Sequence, residues 1–184
     1  MMQPAIGLLE FNSVAAGIEA GDAMAKRAIV NLLEARTICP GKYMVLIGGD
    51  TGPVLESLDA GLAVAPENLV DQLFLPNVHL SLFPAIAGTV EVEITEAIGV
   101  IETVTVAATI IAADAAAKAT PIVLQEIRLA NGLGGKSFLV MSGTVSDVEA
   151  SVAAGVNLVK EQGLLIRSVV IPRLHEDMRA KVVG

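Results

Sequence analysis

The sequence predicts an α+β fold built twice in tandem, and three observations carry that prediction. Residues 5–36, AIGLLEFNSVAAGIEAGDAMAKRAIVNLLEAR, align at constant offset with residues 97–128, AIGVIETVTVAATIIAADAAAKATPIVLQEIR. Within each copy, apolar runs of strand length alternate with stretches of helical period. The links between them are of hairpin length, which implies an antiparallel or mixed sheet with helices on one face.

Each element has its own signal. In the first copy Ile6 to Phe11 is rich in strand formers, and Ser13 is placed to cap a helix with Val14, Ile18, Ala25 and Ala28 on one face. Residues 29–36 form a second strand, and 43–49 a continuous apolar strand ending in glycines. Gly52-Pro53 opens a second helix through Leu62; a short helix from Pro66 and a strand into Leu75-Pro76 complete the module. In the second copy the equivalents are strands 97–103, 121–129, 137–143 and 164–171, with helices 105–119 and 145–161. The match resumes after slips at Gly41-Lys42 with Gly135-Lys136, and at LPNVH (75–79) with IPRLH (171–175). The domains are therefore 1–88 and 95–184, joined near GTVEVEITE (88–96).

Composition excludes several function classes. Hydrophobic residues make up 53% and aromatics 3%, with no Trp, so small branched side chains fill the interior and large aromatic-lined pockets are not expected. A formal charge of −8 argues against nucleic acid and anionic membranes, which both select basic proteins. Mean hydropathy is high at +0.66. The longest apolar stretches, such as Thr103 to Ala113, nevertheless fall short of the ~20 residues of a membrane span, so the surplus is assigned to subunit interfaces. The start, MMQPAIGLLE, lacks a basic leader region, and one cysteine does not suggest secretion; the expected location is the cytoplasm.

Few residues carry chemistry. His79 and His175 are the only histidines and are repeat-equivalent, which favours a structural role over catalysis. Glu10 and Glu102 are likewise equivalent, at strand ends, and structural hydrogen bonding is the expectation. NGLGGKS (131–137) superficially resembles a phosphate loop, but FLVMSG after it reads as a strand where that motif needs a helix. Cys39 stands alone, next to Pro40 and Gly41 in a turn between strands. It is either an inert small hydrophobe or an exposed thiol whose partners come from other chains; three thiols on a three-fold axis could hold an iron–sulfur cluster.

Taken together, the repeated AIGLLEFNSVAAGIEAGDAMAKRAIVNLLEA pattern, GGDTGPVLESLDAG and IPRLHEDM resemble the shell-protein domain of bacterial microcompartments, over both copies. The resemblance implies two tandem ferredoxin-like shell domains and a non-enzymatic protein of which three chains form a six-domain, hexagon-shaped tile. Cys39 in TICPGK is similar to propanediol-utilisation members with a cluster at the tile centre. That similarity implies one [4Fe–4S] cluster per homotrimer, shared by three Cys39, for electron transfer across the shell or delivery to an encapsulated redox enzyme. By the same resemblance the pore is lined by Ile38, Cys39, Pro40 and Gly41 alternating with Asn131, Gly132, Leu133 and Gly134. The tile edge, which meets other shell proteins, carries Lys26 and Lys118 with Arg173; the first copy departs from the pattern with Asn77. Two rival readings are a tile with a cluster-free metabolite pore, and a regulatory oligomer of ferredoxin-like modules that binds a small molecule.

Overall fold

A computed structural model describes residues 4–88, 90 and 96–182. Most of the expected joint, at 89 and 91–95, lies outside the described residues. The chain divides into two compact units, Met1–Val78 and His79–Gly184.

The first unit runs β1 (Pro4–Phe11), α1 (Val14–Arg27), β2 (Asn31–Ile38), β3 (Lys42–Asp50), α2 (Thr51–Val64), a single 3-10 turn at Pro66–Asn68, and β4 (Leu69–Pro76). The second begins with a short helix α3 (Leu82–Ala87). It continues β5 (Ala97–Thr103), α4 (Val106–Ala119), β6 (Val123–Arg128), β7 (Ser137–Gly143), α5 (Val145–Lys160), β8 (Leu165–Pro172) and α6 (Glu176–Val182). Each sheet has four strands, ordered β2-β3-β1-β4 and β6-β7-β5-β8, and every pairing is antiparallel. The irregularities repeat as well: register shifts at Leu32/Glu34 and Leu124/Glu126, and at Glu10/Phe11 and Glu102/Thr103.

Local chemistry explains the repeated starts. Ser13 Oγ accepts the Ala16 N–H at 3.3 Å, and Thr105 Oγ1 accepts the Ala108 N–H at 3.1 Å, each satisfying an otherwise orphaned first-turn donor. Gly7 and Gly99 are identical for a packing reason. A Cβ on Gly7 would stand 2.9 Å from Leu58 of α2, and one on Gly99 2.7 Å from Val152 of α5, so each central strand lies directly under its helix. In the first unit Ala5, Leu9 and Phe11 of β1 meet Ala16, Ala20 and Met24 of α1 and Val54 and Leu58 of α2 in one core.

One sequence expectation needs correction. The face Val14, Ile18, Ala25, Ala28 is not the buried one: Val14, Ile18 and Ala25 are exposed, whereas Ala16, Gly17, Ala20 and Met24 are buried. The small residues win because α1 approaches β3 so closely that a Cβ on Gly17 would come within 2.5 Å of the Tyr43 side chain. The segments after β4 and β8, to which the sequence pattern assigned no element, form α3 and α6. Pro84 is compatible with α3 because it falls in the first turn, where its missing N–H costs nothing.

Candidate functional site

The β2–β3 turn consists of Cys39, Pro40 and Gly41, joined by a cis Cys39–Pro40 peptide and closed by Gly41 at φ 71°. Ile38 is buried in its own unit, Cys39 is a free, half-buried thiol, and Pro40 and Gly41 are exposed. The equivalent β6–β7 loop is longer and its backbone explains its glycines. Gly132, Gly134 and Gly135 have φ of 71°, 63° and 93°, in the left-handed region where a side chain is strained. Asn131, Gly132 and Gly134 are exposed and Leu133 half-buried, while Ala130 N–H and Lys136 N–H tie the loop to Ser137 Oγ (3.1 Å) and the Leu133 carbonyl (3.2 Å). The strand β7 comes directly after, so the loop does not open a helix and lacks the arrangement of a phosphate loop.

The two glutamates anchor these loops. Lys42, the first residue of β3, donates to Glu10 Oε2 at 2.6 Å, and Lys136 donates to Glu102 Oε1 at 2.7 Å. The pairs are equivalent but not equally placed: Glu10 is buried, with Oε1 lacking a hydrogen bond, whereas Glu102 is partly exposed. A buried carboxylate needs its cation, so Lys42 pins the base of the Cys39 turn to the central strand. Sequence reasoning placed the glutamates in a structural role without finding these partners; the identity of Gly41-Lys42 and Gly135-Lys136 was the available signal.

Both histidines sit at helix starts. His79 Nδ1 lies 2.7 Å from Ser81 Oγ and accepts the Ser81 N–H at 3.4 Å, and His175 Nδ1 accepts the Asp177 N–H at 3.3 Å. The His79 carbonyl accepts the Leu82 N–H (3.1 Å), and the His175 carbonyl the Met178 N–H (2.9 Å), at the starts of α3 and α6. At the candidate edge, Lys26 pairs with Asp22 and Lys118 with Asp114 one helical turn earlier, at 2.5 and 2.6 Å. Asn77 and Arg173 come just after β4 and β8 at φ 54° and 53°, exposed residues sharing one left-handed turn geometry. Among the described residues no three His, Cys, Asp or Glu side chains gather as a metal site, and no helix is long and apolar enough to cross a membrane.

The family model of the BMC domain matches residues 5–78 and 97–174. Over 182 residues, 99% of both chains, the sequence is 48% identical to the bacterial microcompartment shell protein PduT of Citrobacter freundii. Over 65 residues, 35% of this chain and 70% of the other, it is 43% identical to the bacterial microcompartment shell protein PduA of the same organism. The crystal structure of a microcompartments protein from Desulfitobacterium hafniense DCB superimposes with a TM-score of 0.94 at 48% identity, covering 98% of this chain and 99% of that one.

Proposed function

The chain belongs to the BMC-domain family of microcompartment shell proteins, with two such domains in tandem, and on that premise we propose that three copies close into a hexagon-shaped shell tile with Cys39 at its axis. The observation that carries the reading is 48% identity to a shell protein over 99% of the chain, combined with a repeat in which only one of two equivalent loops holds a thiol. Its relatives are structural proteins rather than enzymes, and the repeat-paired glutamates, each tied to a lysine, and the histidines at helix starts suit a structural role.

Cys39 suits one ligand position of a [4Fe–4S] cluster shared by three chains. Thiolates are the standard protein ligands of such clusters, Cys39 is free and partly exposed at a turn, and one chain brings no second thiol. Three Cys39 sulfurs leave one iron for water or a partner's group, and a bound cluster supplies one-electron chemistry at the shell. The chain's own contribution is positional: the Glu10–Lys42 pair and the Gly41 turn hold the thiol, and the exposed residues Pro40 of the one unit and Asn131 and Gly132 of the other are assigned to the pore lining of the assembled tile. Lys26, Lys118, Asn77 and Arg173 are assigned to the contact with neighbouring tiles in the shell, and an encapsulated redox enzyme is the assigned electron partner.

Anaerobic purification tests this. Brown protein with broad visible absorption, a paramagnetic signal on reduction, and iron and sulfide bound per trimer are expected, all lost in Cys39→Ser while the trimer persists. Colourless, iron-free trimers after anaerobic reconstitution would overturn the cluster and leave a metabolite pore. A protein that never forms extended sheets, with or without Lys26→Ala or Lys118→Ala, would overturn the tile in favour of a discrete regulatory oligomer.

A further inference from the structure

The α1–β2 face of the first unit and the α4–β6 face of the second carry equivalent residues but are covered differently. In the second unit residues 79–88, with Val90, form a strap across the face. The His79 N–H donates to Asp114 Oδ1 at 2.8 Å, α3 packs on β6 and α4 with Leu82, Ala85 and Ile86 buried, and the Val90 N–H reaches the Gln125 carbonyl at 2.8 Å. Ile110, one turn before Asp114, is 0% exposed, and Leu124 of β6 is 1% exposed. Their equivalents in the first unit, Ile18 and Leu32, are 55% and 52% exposed. The Asp22 side chain is 60% exposed against 9% for Asp114.

The second unit ends in the same kind of strap. His175 is equivalent to His79, Met178 to Leu82 and Val182 to Ile86, and the His175 carbonyl accepts the Met178 N–H as the His79 carbonyl accepts the Leu82 N–H. The apolar stripe of α3 is buried; on α6, Met178 is half exposed and Val182 rests only partly buried beside Ile98 and Leu174. The chain thus carries one face without its strap and one strap without its face.

We propose that residues 173–182 of a second copy of this chain seat on the α1–β2 face of the first unit. The His175 N–H donates to Asp22, and Met178 and Val182 cover Ile18 and Leu32. A second copy is the occupant because the chain already forms the equivalent contact within its second unit, so complementarity of strap and face is built into the repeat. Face and strap lie on different units, which makes the contact heterologous; such contacts consume every open face only when they close into a ring. The strap contact deepens the reading of the chain as a self-assembling tile and rests on it.

Two measurements test it on the full chain. In a Cys39→Ser background, mixing D22C chains with H175C chains under mild oxidation should give covalent dimers that neither variant forms alone. Ile18→Asp, at a position exposed within the chain, should keep its circular dichroism, shift sedimentation from oligomer to monomer, and speed amide exchange of residues 175–182 at least tenfold. If wild type sediments as an oligomer while Ile18→Asp matches it, and no mixed cross-link forms, the strap contact is wrong and the tile stands. Wild type that sediments as a monomer at all concentrations overturns both.

Discussion

Asp114→Ala should release the strap that crosses the second unit. The Asp114 carboxylate is almost fully buried and accepts two donors, the His79 N–H at 2.8 Å and Lys118 Nζ at 2.6 Å. A hydrogen bond to a charged acceptor contributes about 1.5–3 kcal/mol, and the half-exposed Lys118 adds less than about 1 kcal/mol because solvent screens it. A loss of about 2 kcal/mol localised at His79 corresponds to roughly 30-fold more frequent opening, at 1.36 kcal/mol per factor of ten. The assay is amide exchange of residues 79–87 read by mass spectrometry, with global unfolding checked separately in urea. Asp114→Asn keeps the oxygen that accepts the His79 N–H and should recover most of the protection. The control is Asp22→Ala in dilute protein: its pair with Lys26 is exposed on both sides, is expected to contribute about 0.5 kcal/mol, and should alter local exchange only about twofold. Exchange of 79–87 in Asp114→Ala within about threefold of wild type would refute the reasoning, and would mean that Leu82 and Ile86 hold the strap without the carboxylate.

Gly155→Ala should destabilise the second unit by about 1–2 kcal/mol in urea unfolding. Its Cβ would stand 2.8 Å from the Ala112 carbonyl oxygen, and backbone cannot yield as a side chain can, so overpacking outweighs the helix-propensity gain of about 1 kcal/mol. The same change at Gly52, where nothing lies within 4 Å, should be neutral or stabilising by up to about 1 kcal/mol. Lys42→Met leaves the buried Glu10 carboxylate without its cation and should cost about 3 kcal/mol, while Lys136→Met, beside the partly exposed Glu102, should stay within about 1 kcal/mol. Equal losses for the two lysines by denaturant titration would show that burial of Glu10 does not set its dependence on Lys42.

Much of the fold was legible because the repeat supplies each element twice. A strand unclear in one copy is settled by the other, and Ser13 and Thr105 mark equivalent helix starts through the same capping chemistry. The candidate site was legible only as a set of separate residues. Cys39 and the 131–135 loop stand out by composition, whereas the Lys42–Glu10 tie spans 32 positions and has no local signature.

The sequence by itself determined the α+β class, the duplication and, for the elements of the repeat that it showed, boundaries to within a few residues, because these depend on neighbours a few positions apart. Tertiary structure decided the rest. The α1 sequence VAAGIEAGDAMAKR has apolar residues around most of its circumference, so its pattern cannot choose between Val14/Ile18 and Ala16/Ala20; the close approach of Tyr43 to Gly17 chooses. Likewise Asp22 and Asp114 are the same residue in the same motif, one exposed and one buried. Burial depends on what segment arrives from elsewhere in the chain, and the residues beneath carry no record of it.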